Sequence, residues 1–520
     1  MLLFMFFVAA LRIVSVIGEE DYSAAAKKQN SYRLTVTRQR GTIFDTNMKS
    51  LTNAKQKIYT AVTPTDEGKN TMSEHLNVKE MQQLSKKLAD GKPVILETEK
   101  EINGNGVMSI KVPICEDEDT LAPHLIGYLD GDGHGVFGIQ KVFDELLYSE
   151  STVDFLYARD AKGGLLSRFS TETVLDERVT ASGVKITIDA DIQRISEEAM
   201  SDFKSGALVV SEVGTGKIRA LVSRPDYNPI SVKDYLSDES SPLLNRAFCS
   251  YNVGSVFKPC VAAAALEQGI FGNFLYKCTG GKVIGGKNFA CHNLGGHGTL
   301  GISDAIAFSC NTYFYTLGQK SGANAVCSMA NALYFGQRHT FYDGLYTEKG
   351  NMPTEKQVSL SEQTLANTVI GQGDIMLTPI SLLTLYEAIA NGGEYVMPSL
   401  IEGIVTDGVL EDTPSSPPTR VMSEKTAETL KNALIQVIKK GTGAQAAPKV
   451  CTAAGKTATA QTGWIINGKA VNHSWFCGFF PAENPRYVAV IISENTSGGG
   501  TPCPPVFSAL ADAIYTLKLS

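Results

Sequence analysis

The chain reads as an α+β fold: an antiparallel sheet flanked by helices, with a helical subdomain inserted. Three observations predict this. Strand-like segments come first, alanine-rich helical stretches dominate from Ser255 to about Gly393, and strands then return before a closing helix. "GALVVSEVGTGKIRALVSRP" is two apolar strands joined by a Gly-Thr-Gly turn. The C-terminal part carries "AAGKTATAQTGW", "HSWFCGFFP" and "RYVAVIISEN" as strands, and "VFSALADAIYTL" as a last helix.

Taken in order, the N-terminus differs from the rest. "MLLFMFFVAALRIVSVI" is apolar except for Arg12 but short for a membrane span. Neither a basic start nor a small-residue cleavage site is clear. Residues 1–18 therefore read as a retained membrane anchor, ahead of a cleaved signal and of a soluble core helix. No charge precedes the segment, so the positive-inside rule does not orient it. Residues 30–175 read as a small mixed module. It holds alternating segments around "SYRLTVTRQRGTIFDTN", a surface helix ending at Gly91, a glycine-rich turn region at "HLIGYLDGDGHGVFG" and a hairpin around Gly163 and Gly164. Residues 180–520 form the main unit. It opens at "VKITIDADIQRISEEAM" with a strand, an acidic N-cap and a helix.

Composition narrows the function. Hydrophobic residues make up 43% and charged residues 19% of 520, which excludes a largely disordered chain. The net charge is −7 with no long basic run, which argues against a nucleic-acid partner. Of the ten cysteines, only Cys278 and Cys291 cluster with histidines, His292 and His297. That spacing matches no standard zinc pattern, so reduced thiols or a Cys278–Cys291 bridge are expected rather than a metal site. No His-Glu-x-x-His or Gly-x-Ser-x-Gly motif appears, which argues against a zinc protease and an α/β-hydrolase.

Three short segments carry acyl-transfer chemistry. In "YNVGSVFKPC", Pro259 is tolerated only in the first turn of a helix, so the helix is expected to start close to Ser255. Ser255 and Lys258 then share one face. In "FSCNTYF", Ser309 and Asn311 precede an aromatic helical stretch. In "GKTATAQTG", Lys456, Thr457, Ala458 and Thr459 lie on a strand. A serine hydroxyl needs a base to become a nucleophile. A lysine serves as that base only when neutral, and burial or a neighbouring cation depresses its pKa. Buried Lys258 with Lys456 nearby is expected to have both. Tyr313, Phe314, Trp475 and Phe476 read as core, and Gly371, Gln372 and Gly373 as active-site rim or only a turn. His473 reads as a structural histidine before a partner at the strand. Arg40 and Asp45 of "RGTIFD" read as a paired turn.

Together these segments resemble the SxxK, SxN and KTG motifs of penicillin-binding proteins. "RGTIFD", "HLIGYL", "ITIDADIQ", "SRPDYNP", "LLNRA", "IGQGDIMLTPI", "IANGG" and "HSWFCGFFPAENP" also resemble class B members, so the similarity spans nearly the whole chain. The resemblance implies the penicillin-binding and serine β-lactamase-like transpeptidase fold, a non-catalytic pedestal at residues 30–175 and a single membrane helix with the catalytic domain outside the cytoplasm. It implies D,D-transpeptidation of peptidoglycan stem peptides through a serine acyl-enzyme, inhibition by penicillins and other β-lactams, and a membrane glycan polymerase as partner. No metal or organic cofactor is implied. By position, Ser255 is the nucleophile and Lys258 the general base. Ser309 and Asn311 form the second motif, with Ser309 relaying a proton and Asn311 holding a substrate amide, and Lys456 begins the third. The N–H groups of Ser255 and Thr459 would form the oxyanion hole, with Thr457 and Thr459 on the substrate carboxylate. An SxxK-type β-lactamase or β-lactam sensor shares the motifs but does not normally carry a pedestal. A weakly active or non-catalytic scaffold for division or elongation is the other reading.

Two departures stand out. The third motif reads Lys-Thr-Ala, and an added methyl is expected to shift the strand edge, so that Ala458→Gly would raise the acylation rate. The anchor is short, and "ALRIVSVI" resembles the junction that follows the family's membrane helix, which places the expected start codon upstream.

Overall fold

The computed structural model describes residues 31–158, 172–270, 274–466, 468–496 and 502–518. The expected anchor and the Gly163–Gly164 turn lie outside them. Among the described residues no helix is long and apolar enough to cross a membrane.

The main unit is built on a five-stranded antiparallel sheet. Its strands are β1 (Gly206–Glu212), β2 (Ile218–Arg224), β3 (Ala454–Ile466), β4 (Lys469–Phe480) and β5 (Tyr487–Thr496), in the order β2-β1-β5-β4-β3. Both faces are covered, which is why β1, β2 and β5 read as largely apolar runs rather than as an alternation. Leu208, Val210, Ala489 and Ile491 face the core with helices α1 (Ala190–Ala199) and α6 (Cys503–Lys518). Ala207, Val209, Val488 and Val490 face the larger core with α2 (Lys258–Glu267), α4 (Pro379–Ala390) and α5 (Glu424–Lys439). Helix α3 (Asn311–Ala332) packs on α2, and Gly322 interrupts its helical geometry. Strand β3 is an edge of the sheet, so one side of its backbone remains open to a ligand.

Local sequence accounts for the entry to this unit. Asp189 caps α1 by accepting from the N–H groups of Asp191 and Ile192 at 3.0 and 3.2 Å. The pairing of Arg40 with Asp45 expected from the sequence is not found. The Asp45 carboxylate accepts from the N–H groups of Asn47 (2.7 Å), Lys49 (2.8 Å) and Ala190 (3.1 Å), the last at the start of α1. The Arg40 guanidinium instead reaches Asp144 at 2.8 Å and Gln140 at 2.7 Å. The partners are a hundred residues away, and no local pattern announces them.

Residues 31–174 carry two small three-stranded sheets. Ser31–Arg40, Tyr148–Ala158 and Glu172–Val174 form one, and Val94–Thr98, Lys55–Val62 and Val107–Ile114 the other. The surface helix is observed at Val78–Leu88, closed at its N-terminus by an Asn77–Glu80 capping box. A four-stranded sheet joins this segment to the main unit, where Thr42–Phe44 runs parallel to Gly183–Ile186.

Candidate active site

The segment that carries Ser255 is a 3₁₀ turn, not the first turn of an α-helix. Gly254–Phe257 forms the turn, and α2 begins at Lys258 with Pro259 in its first turn. Proline thus sits where expected, while the serine lies one turn earlier than the sequence implies. The turn is held from three sides. Tyr386 donates its hydroxyl to the Val256 carbonyl at 3.0 Å, and Trp475 donates its indole N–H to the Asn252 carbonyl at 2.9 Å. The Gly254 N–H donates to the Gly371 carbonyl at 2.8 Å. The Gly371-Gln372-Gly373 segment is therefore a support for the serine turn, and Gln372 lines the cleft beside it.

Ser309 occupies an unusual backbone position. The helix Ile302–Ala307 ends in a Schellman motif, with the Cys310 N–H on the Ala305 carbonyl (2.9 Å) and the Ser309 N–H on the Ile306 carbonyl (3.2 Å). Ser309 fills the left-handed position of that motif at φ +54°, where glycine is usual. A non-glycine residue there costs about 1–2 kcal/mol. The conformation turns both its carbonyl and its hydroxyl toward Lys258.

Lys258 and Lys456 are fully buried. The Lys258 amine lies 2.7 Å from the Ser309 carbonyl, 2.7 Å from Asn311 Oδ1 and 3.1 Å from Ser309 Oγ. Burial lowers its pKa to about 7, while the nearby thiols of Cys310 and Cys291 pull the other way. A neutral amine has two N–H donors and one lone pair. The two short contacts are to acceptors that cannot donate, and they use both donors. The lone pair is left for a hydroxyl. Lys456 donates to the Thr457 carbonyl at 2.9 Å. Burial holds its pKa well below the ordinary lysine value, and Lys258 pushes it further. For Lys258 burial is the one lowering cause, and the contribution expected from the Lys456 cation is not seen.

These elements surround a cleft of about 680 Å³ lined by Ser255, Ser309, Asn311, Thr457, Ala458 and Thr459. All three motifs predicted from sequence meet there, although they are separated by about 50 to 200 residues. A larger cleft of about 1180 Å³, between residues 31–174 and the Pro229–Leu236 turn, contains none of these side chains. Thr442 and Asn472 are among the contributors that went unrecognised in the sequence. Thr442 pairs hydroxyl to hydroxyl with Thr457 at 2.7 Å, and Asn472 lines the rim. Thr442 follows α5 with no motif around it. His473 stands outside the cleft, edge-on to Tyr251, with no hydrogen-bond partner for Nδ1 among the described residues.

Ala458 does not disturb the strand. The β3–β4 ladder runs without a shift from Ala454 to Gln461, with Ala458 opposite Trp475 and its methyl in the apolar core. No bulge or register shift accompanies the methyl. Ala458→Gly is accordingly predicted to change the penicillin acylation rate by less than about threefold and to cost about 0.5–1 kcal/mol of stability. Stopped-flow acylation and thermal denaturation check both.

The comparisons agree with this geometry. The family model described as "Penicillin binding protein transpeptidase domain" matches residues 206–512. The chain belongs to that family. It is 27% identical to stage V sporulation protein D of Bacillus subtilis, over 95% of this chain and 81% of that one. It is 29% identical to the peptidoglycan D,D-transpeptidase PbpA of Mycobacterium tuberculosis, over 71% and 76%. Among solved structures, penicillin-binding protein 3 of Mycobacterium tuberculosis complexed with aztreonam superposes with a TM-score of 0.66 at 24% identity, covering 94% of this chain and 97% of that one.

All ten cysteines are free, so of the two alternatives the sequence left open for Cys278 and Cys291 the structure has the reduced thiols and not the bridge. Cys310 joins them and His297 in one cluster, of which Cys291 lines the cleft.

Proposed function

We propose that this penicillin-binding protein, a peptidoglycan D,D-transpeptidase, works through Ser255 as nucleophile and Lys258 as its base. The observation that carries the reading is the buried Lys258 amine set between Ser309 and Asn311. The Ser255 hydroxyl attacks the carbonyl of the penultimate D-alanine of a stem peptide, and its proton passes to the Lys258 amine. The N–H groups of Ser255 and Thr459 hold the tetrahedral oxyanion. Collapse expels D-alanine, whose leaving nitrogen takes a proton through Ser309. Asn311 holds the substrate amide, and Thr457 and Thr459 hold the terminal carboxylate. The donor peptide lies along the open edge of β3 as an added strand. An acceptor amine from a neighbouring stem peptide then takes the acyl group and frees Ser255. β-Lactams enter the same way and stall at the acyl-enzyme.

In this reading residues 30–175 are the pedestal, residues 180–520 the transpeptidase domain, and residues 1–18 an anchor that holds the catalytic domain outside the cytoplasm. A membrane glycan polymerase is the partner that supplies nascent strands. The test uses the full chain with pentapeptide-bearing glycan strands. Ser255-dependent crosslinked muropeptides with equimolar D-alanine are expected. D-alanine release with no crosslink would replace transpeptidation by carboxypeptidase activity.

A further inference from the structure

The third motif is held from outside its own strand. The hydroxyl oxygens of Thr442 and Thr457 stand 2.7 Å apart, and either can be the donor. Both side chains line the cleft beside Thr459. Among the described residues neither hydroxyl bonds any other group. A threonine near a helix end commonly turns its hydroxyl onto a backbone carbonyl close by in sequence. Thr442 follows the end of α5 and does not do this. Its own N–H donates to the Ala307 carbonyl at 3.1 Å, which leaves the hydroxyl for Thr457.

The loop that carries Thr442 is fixed to the second motif. Lys440 Nζ reaches Asp304 at 2.7 Å, on the helix Ile302–Ala307 that ends just before Ser309. Gly441 lies so close to that helix that a Cβ there would stand 2.2 Å from the Ala307 carbonyl oxygen, an approach only glycine permits. The N–H groups of Gly441 and Gly443 both donate to the Val437 carbonyl, at 3.1 and 3.0 Å, and close the loop onto α5. Thr442 is thereby presented to Thr457 from the side of Ser309, at a height that β3 does not set.

From this geometry we infer that Thr442 is a positioning residue for the terminal carboxylate of the donor peptide: its hydroxyl donates to Thr457 and so aims the Thr457 proton at the carboxylate. The inference rests on the reading that Thr457 holds that carboxylate. A hydroxyl has one proton and two lone pairs. When Thr457 donates to an anion, its oxygen can only accept from Thr442, and the direction of the pair is set. Donating and accepting together strengthens both bonds, and the bond to the anion is the charge-assisted one. With the pair reversed, Thr457 would turn a lone pair toward the carboxylate. Thr442 acts through Thr457 and touches no reacting atom.

The test is stopped-flow acylation of the full chain by benzylpenicillin, whose carboxylate stands in for that of the donor peptide. The measurement separates the dissociation constant of the first complex from the acylation step. Thr442→Val keeps the shape of the side chain and removes the hydroxyl. It should weaken the first complex about five- to tenfold and change the acylation step by less than about twofold, because the carboxylate is held equally before and during attack. Thr442→Ser should restore the parent values. With benzylpenicillin methyl ester, which has no carboxylate, Thr442→Val should change either constant by less than about twofold. A loosened β3 would instead misplace the Thr459 N–H and slow the acylation step for acid and ester alike. That result, or a Thr442→Ser variant as weak as Thr442→Val, would overturn the inference. Thr457→Val separates it from the reading beneath it. A weakened complex there with none in Thr442→Val removes the role of Thr442 alone, whereas an unchanged complex in Thr457→Val removes the carboxylate from Thr457 and the inference with it. Thr442→Ala is read in the same way should Thr442→Val not fold.

Discussion

Lys258→Met is expected to slow penicillin acylation by about 10²–10⁴ while leaving the protein folded. Methionine is close to lysine in volume and carries no charge into a fully buried site. The loss therefore reports on proton transfer rather than on packing. The parent's pH profile provides the complementary test. Burial lowers the Lys258 pKa to about 7. The amine is a base only when neutral, so acylation should fall about tenfold per unit as pH drops below 7 and level off above it. A lysine near its ordinary value of 10.5 would leave the rate climbing through pH 9. Stopped-flow acylation from pH 5 to 10, on parent and variant, distinguishes the two. In Lys258→Met the limb near pH 7 should vanish, because the group that produces it is gone.

The second large effect is expected at Gly371, which no motif argument reaches. Its Cβ, were one present, would lie 2.0 Å from the Gly254 carbonyl oxygen, and its φ is +71°. Alanine there must push apart two backbones already joined by the Gly254 N–H on the Gly371 carbonyl. Gly254 directly precedes Ser255, the proposed nucleophile, so the displacement is passed to it. Gly371→Ala is expected to cost about 3 kcal/mol or more of stability and to slow acylation at least about tenfold. Gly373→Ala is the control. It has the same left-handed backbone, φ +78°, but its Cβ would meet only the Asn367 side chain at 3.5 Å. It should cost only about the 1–2 kcal/mol of the conformation itself. Equal effects on acylation in the two variants would remove the support role assigned to Gly371.

Much of the site was legible in the sequence because its chemistry is local. Ser255 with Lys258, Ser309 with Asn311 and Lys456 with its threonines each sit within a few residues, and proline or aromatic neighbours reveal the element that carries them. The core aromatics Tyr313, Phe314, Trp475 and Phe476 are buried as their patterns indicated. What escaped was formed by contacts distant in sequence. Arg40 finds Asp144 rather than Asp45 because the intervening hairpins fold back on it. Thr442 reaches Thr457 from the end of α5. Cys310 joins Cys278, Cys291 and His297 only because α3 begins beside two short strand pairs. Its neighbours in sequence mark it as part of the serine motif, which hid its place in that cluster. Ala458 was the reverse case. The motif made the methyl look disruptive, whereas regular pairing with Trp475 leaves it in apolar core.

The most direct test of the central claim is the intact mass of the full chain after incubation with benzylpenicillin, beside Ser255→Ala treated identically. A stable penicilloyl adduct of one per chain on the parent and none on the variant is the predicted result. A folded parent that gains no mass, or an adduct that persists in Ser255→Ala, would contradict it.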